Sequence, residues 1–147
     1  MRKRALAVGL GVAVAAGGGA GMALAKGDVL SATLNAKQEI PKQTVAAPNG
    51  KGSFTGTLTG RRLRWKLTFS GLTGKALAAH IHLAKAGKGN PVPAVPLCTP
   101  CRSGVTGVVT LTNKVENAVK AGGAYVNVHT AKNPSGEIRG QIKFTST

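Results

Sequence analysis

A strict two-residue alternation in the middle of the chain constrains the fold most. In residues 53–59, serine and threonine alternate with apolar or small residues, and in residues 62–69 arginine, lysine and threonine alternate with leucine, tryptophan and phenylalanine. Successive side chains of a strand point to opposite faces, so each segment predicts a strand with one apolar and one polar face. Gly60 and Arg61 between them predict the turn of an antiparallel hairpin.

The same alternation predicts which side chains are buried. On the apolar face and its continuation in later strands we expect a core that includes Trp65, Leu67, Phe69, Ile81 and Ile142. Basic side chains of the hairpin should stand on the opposite, solvated face, and these are Arg62, Arg64 and Lys66.

Further alternating segments run through the rest of the chain, at residues 30–34, 79–83, 105–111, 125–130 and 138–144. A helix is predicted only at Val115 to Ala121, and the proline-rich residues 91–100 predict a long loop. About seven to eight short strands separated by Gly, Pro and Asn indicate an all-β protein. The expected fold is an antiparallel sandwich or Greek-key barrel.

The start of the chain has the pattern of a secretory signal peptide. A basic Arg2-Lys3-Arg4 segment precedes an uncharged apolar run, and Ala23-Leu24-Ala25 is a small-x-small cleavage site. Glycines at residues 17–21 interrupt the run, which is shorter than the ~20 apolar residues of a membrane span. The sequence therefore predicts a signal peptide at residues 1–25 and one domain at 26–147 that is secreted, periplasmic or attached to the cell envelope, without a later transmembrane helix.

The chain is strongly basic, with 20 Lys and Arg, four Asp and Glu and a formal net charge of +16. Such a charge attracts anionic surfaces, so the expected partner is an anionic envelope polymer or another protein. The alternative is that the charge only keeps the protein soluble. A specific nucleic-acid ligand is not expected, because the five aromatic residues are too few and too core-directed to stack on bases.

All three histidines lie in two of the predicted strands. His80 and His82 share the polar face of residues 79–83, and His129 shares the polar face of residues 125–130 with Tyr125 and Asn127. If the two strands are neighbours, three imidazoles converge. That convergence is compatible with a copper or zinc site, since imidazole binds both metals, and equally with a hydrogen-bonded polar cluster.

The final strand offers polar neighbours for these histidines. Glu137 and Arg139 should lie on the polar face with Asn127, and the short connection predicts a hairpin with residues 125–130. Glu137 could orient a histidine as a metal ligand's carboxylate partner does, or it could pair with Arg139. The sequence contains no recognisable set of nucleophile, base and orienting residue, so we do not expect an enzyme.

The two cysteines form a Cys98-Thr99-Pro100-Cys101 motif. In an exported protein this spacing predicts a small loop disulfide or a pair that cycles between dithiol and disulfide. Zinc ligation together with the histidines is the other option, although structural zinc sites usually have a second cysteine pair.

Motifs along the whole mature chain resemble the CHRD domain, the module named after chordin. They are Leu30–Leu34, Gln38–Pro41, Gly52–Phe54, Ala79–His82, Tyr125–Thr130 and Asn133–Gln141. The resemblance implies a stand-alone exported bacterial member of that family, acting as a binding or structural module with an unknown ligand.

The CHRD family is in turn distantly similar to copper/zinc superoxide dismutases, which implies an immunoglobulin-like β-barrel. His80, His82 and His129 stand in settings similar to dismutase copper ligands. The chain has no histidine left for the ligand that bridges copper to zinc, so dismutase activity is not expected. A copper- or zinc-binding protein is the alternative function that this similarity implies.

Overall fold

The computed structural model describes residues 26–147; the predicted signal peptide lies outside them. Besides a 3-10 helix at Ala36–Gln38, one α-helix, α1 (Asn113–Lys120), occurs in this range. None of the helices between residues 26 and 147 has the length and apolar character needed to span a bilayer. The strands are β1 (Asp28–Asn35), β2 (Lys51–Thr59), β3 (Arg62–Ser70), β4 (Ala76–His82), β5 (Pro93–Cys98), β6 (Val105–Thr110), β7 (Tyr125–Thr130), β8 (Ile138–Gln141) and β9 (Lys143–Thr145).

The strands form one antiparallel sheet that curls into a nearly closed barrel. Their order is β5-β4-β7-β8-β1-β2-β3-β6, and β9 pairs with β1 beyond the end of β8. The all-β antiparallel fold expected from the alternation is confirmed. The apolar faces point into the barrel and form one continuous core, as expected for a sheet that closes around its own side chains.

The β2-β3 hairpin has the predicted register and turn. Gly60 adopts a φ of 57° at the turn, and Gly56 lies opposite Trp65, which in turn lies opposite Gly107 of β6. A Cβ atom on Gly107 would lie 2.5 Å from Cζ2 of Trp65, so the glycine makes room for the indole. The predicted core residues are buried, except that Phe69 is only half-buried.

Three boundaries differ from the sequence-based expectation. The proline-rich segment contains β5, an edge strand in which Pro93 and Pro96 are tolerated because prolines can occupy a sheet edge. The closing strand is divided at Ile142, whose N–H donates to the carbonyl of Ala124, and β9 then pairs with β1. The helix begins at Asn113 rather than Val115, because the Thr112 hydroxyl accepts from the Val115 N–H and caps it.

Strands β4, β7 and β8 lie side by side and position the histidines. β4 pairs with β7 so that His80 lies opposite Asn127 and His82 opposite Tyr125. β7 pairs with β8 as the predicted hairpin, with Asn127 opposite Arg139. The polar faces of these three strands therefore form one surface.

Candidate metal centre

The three histidines converge on the polar face of β4 and β7. Each offers one ring nitrogen, and the three nitrogens lie within 4.8 Å of one another. The neighbouring residues Ala79, Ile81 and Val128 are fully buried in the barrel core. The convergence predicted from the alternation is confirmed, because the two strands are adjacent and in the register that brings these positions together.

Backbone carbonyls orient two of the rings. The Nδ1–H of His82 donates to the carbonyl of Val92 at 3.1 Å, and the Nδ1–H of His129 donates to that of Pro134 at 2.8 Å. A carbonyl can only accept a hydrogen bond, so the Nε2 atom of each neutral ring carries the free lone pair. His80 Nδ1 lies 3.0 Å from His129 Nε2, and the Nδ1–H of His80 donates to that lone pair.

The environment keeps the imidazoles neutral. Burial, together with the smaller effects of the neighbouring His129 and His82, lowers the pKa of His80 to about 4. Burial also lowers the pKa of His82 and His129, despite the carbonyl contacts that favour their protonated forms. A metal requires deprotonated imidazole nitrogens, so these rings are in the binding-competent form at neutral pH.

His82 is the most enclosed of the three histidines. It is 2% exposed, and its Nε2 atom has no hydrogen-bond partner within residues 26–147. The ring stacks on Tyr125 with 5.1 Å between centroids and 8° between planes. The guanidinium carbon of Arg139 lies 3.5 Å from the centroid of the Tyr125 ring. Stacking and the Val92 carbonyl together fix the direction in which Nε2 points.

A pocket of about 570 Å³ adjoins the cluster. His82, His129, Tyr125 and Asn127 form part of its wall. Its remaining lining comes from three loops, at Ile40, Pro41, Gly89, Asn90, Pro91, Pro134 and Ser135. Small molecules in this pocket would be next to the imidazoles.

Glu137 does not orient a histidine, so that expectation is wrong. Its carboxylate accepts from the backbone N–H and the hydroxyl of Thr73 and from the hydroxyl of Thr130. Nor is Glu137 ion-paired with Arg139; the single ion pair in the described part of the chain joins Glu116 and Lys120. Glu137 precedes β8, where its carboxylate meets two hydroxyl groups: that of the distant loop residue Thr73 and that of Thr130 at the end of β7.

Arg139 and Asn127 lie on the polar face, as expected. Both are buried, and Arg139 donates to the Lys85 carbonyl and the Gln141 side chain. The cysteines Cys98 and Cys101 form a disulfide with 5.2 Å between their Cα atoms. Their sulfur atoms are bonded to each other and are therefore not metal ligands.

Sequence reasoning missed Glu39. This side chain is fully buried, and neither carboxylate oxygen has a hydrogen-bond partner in the range 26–147. Burial raises its pKa to about 8, while the positive charge of Arg139 acts in the opposite direction. Glu39 is one of only four acidic residues and precedes Ile40 and Pro41 at the pocket. Its burial depends on packing against Gly136, which the sequence does not reveal.

Comparison with protein-family models finds the CHRD domain over residues 30–142. The chain belongs to the CHRD family. No curated protein and no solved structure matches it, so the similarity to dismutases stays a prediction. The match to the CHRD domain includes all three histidines, Glu39 and Arg139. A CHRD domain suggests a binding or structural module, and both the family and the disulfide fit an extracellular setting.

Proposed function

We propose that this CHRD domain is an exported protein that binds one copper or zinc ion through His80, His82 and His129. The observation that carries the proposal is the convergence of three neutral imidazoles within 4.8 Å. All-imidazole donor sets suit both metals, and Cu(II) should bind more tightly than Zn(II) because it stands higher in the Irving–Williams order.

The spacing of the rings supports a shared ion. Ligands ~2.0–2.1 Å from one ion in tetrahedral geometry lie roughly 3.4 Å apart. His80 Nδ1 and His129 Nε2 are 3.0 Å apart, and no pair exceeds 4.8 Å. Side-chain movements of about 1 Å therefore suffice, with the Val92 and Pro134 carbonyls keeping two rings in the required tautomer.

A purely structural cluster explains the contacts of His82 less well. In such a cluster a buried polar atom normally finds a partner, and leaving one unpaired costs about 1–3 kcal/mol. The buried Nε2 of His82 has no partner in the described chain. A metal bound there would use this lone pair.

Calorimetric titration of the disulfide-bonded protein with Cu(II) and Zn(II) tests the proposal. One ion per chain should bind, and His80→Ala or His129→Ala should abolish or strongly weaken uptake. Ser135→Ala, on the rim of the adjoining pocket, is the matched control and should bind like the parent. Equal uptake by the histidine variants, or no uptake by the parent, would show that the cluster is structural.

Protein purified from its native compartment would provide the complementary measurement. Elemental analysis should find copper or zinc near one equivalent, and N-terminal sequencing should begin at Lys26 if the predicted signal peptide is removed. Recovery of the intact Met1 form from the membrane fraction would contradict export.

A further inference from the structure

The outward faces of five adjacent strands form a surface of hydroxyls and cations, here called the cationic face. β9, β1, β2, β3 and β6 are neighbours in the sheet. Their outward residues are serines, threonines, the two valines Val29 and Val108, and the cations Lys51, Arg62, Arg64, Lys66 and Lys143, nearly all of them exposed. Five are cations, and none is acidic or aromatic.

The acidic residues of the described chain do not neutralise this surface. Glu39 and Glu137 are buried among other groups. Glu116 is paired with Lys120 at 2.6 Å on α1, and Asp28 lies opposite the inward-facing Leu58 at the start of β1, so its carboxylate does not project from the cationic face. The positive potential of the cationic face is therefore not balanced by a carboxylate on it.

The sheet register places the cations in a regular array. Lys66 lies between Thr55 and Thr106 on the neighbouring strands, and Arg64 lies between Thr57 and Val108. Side chains two residues apart on a strand are separated by about 6.7 Å, and neighbouring strands by about 4.8 Å. At least one hydroxyl thus lies beside each of these two cations, at a distance suited to several groups of one ligand.

A shallow groove crosses the cationic face at right angles to the strands. It has a volume of about 450 Å³, begins at Val29 and ends at Val108, and Arg64 and Lys66 lie along it. It spans β1, β2, β3 and β6, or roughly 14 Å across four strands. Such a shape fits an extended chain better than a rounded protein surface.

We propose that the cationic face binds a linear acidic polysaccharide. Its carboxylates would contact the cations, its hydroxyls the threonines, and its ring C–H groups the two valines. A bilayer is less suitable, because only Val29 and Val108 project as apolar side chains. Single-stranded nucleic acid is also less suitable, because the aromatic residue that lines the groove, Trp65, is only 6% exposed and cannot stack on a base. This surface and its ligand are independent of the metal proposal.

Fluorescence anisotropy of an end-labelled oligogalacturonate, measured over a series of salt concentrations, tests this inference. The variant Arg62→Gln/Arg64→Gln/Lys66→Gln should bind about tenfold or more weakly at low salt, and the slope of log affinity against log salt should fall by ~2–3. Lys85→Gln/Lys88→Gln/Lys132→Gln removes the same charge from exposed loops elsewhere and should stay within about twofold of the parent.

Thr106→Glu provides a second test, because it places one carboxylate in the groove. It should weaken binding by more than the removal of a single positive charge does. Thermal melts should show that all variants are folded, since the altered side chains are exposed. Equal losses in the two triple variants would show attraction by net charge alone and overturn the proposal. Tighter binding of an oligothymidylate of equal charge, or of phosphatidylglycerol vesicles, would overturn it as well.

Discussion

Replacing Glu39 by glutamine should stabilise the protein at neutral pH. The carboxyl group is fully buried, and its oxygens accept no hydrogen bond within the described chain. Burial raises its pKa from 4.5 to about 8, although the charge of Arg139 lowers it. Glutamine keeps the shape of the side chain and cannot ionise, so it mimics the protonated acid that the fold prefers.

The size of the effect follows from the proton balance. At pH 7, Glu39 is ionised in the unfolded chain and protonated in the folded protein. This pH lies ~2.5 units above the pKa of Glu39 in the unfolded chain, and each unit corresponds to ~1.36 kcal/mol of unfolding free energy. Because the pKa of Glu39 is raised on folding, its contribution to stability is fully present below pH 4.5 and is lost as pH rises towards 8. The Glu39→Gln variant should therefore exceed the parent by about 3 kcal/mol at pH 7 and match it near pH 4.

Urea denaturation of both proteins between pH 4 and pH 8.5, monitored by Trp65 fluorescence, measures this difference. The histidines contribute the opposite slope: their lowered pKa values make both proteins lose stability as pH falls below 6.5. Subtracting the two unfolding free energies at each pH cancels that contribution. Glu116→Gln, on the surface of α1, is the control and should change stability by less than about 1 kcal/mol.

A Glu39→Gln variant less stable than the parent at pH 7, with a deficit that grows as pH rises, would refute the reasoning. It would mean that Glu39 is ionised in the folded protein and that its attraction to Arg139 outweighs desolvation.

Other substitutions test the barrel. Truncation of the buried indole in Trp65→Ala should lower the unfolding free energy by about 3–5 kcal/mol in chemical denaturation. Arg64→Ala, on the outer face of the same strand, should change it by no more than ~0.5 kcal/mol. Equal effects of the two substitutions would mean that the strand register is inverted. Gly107→Ala should cost about 1–3 kcal/mol, because its methyl group would overlap the Trp65 ring, and a neutral result would show that the indole can move. Replacing both Cys98 and Cys101 by alanine should lower stability by ~2 kcal/mol, because the disulfide closes a four-residue loop and so reduces the entropy of the unfolded chain. An unchanged unfolding free energy would contradict this.

The amino-acid sequence by itself determined the faces of the strands and some of the turns. Side-chain direction along a strand is a local property with a period of two, so the pattern around Trp65 and around His80 and His82 could be interpreted without knowing any neighbour. The turn at Gly60 is equally local, since its positive φ suits glycine. The local order of apolar and polar residues was therefore enough to predict a β fold and a polar face that carries the histidines.

Only the tertiary structure decided which groups meet on that face. Placement of β7 beside β4 brings His129 to His80, and the loop carbonyl of Val92 then selects the tautomer of His82. The sequence predicts the wrong neighbours for Glu137 and does not reveal the burial of Glu39. These contacts depend on how distant strands close the barrel, and desolvation at a site is set by every segment that packs around it. Neither the contacts between distant strands nor the desolvation of a site is encoded in the short-range pattern of one strand.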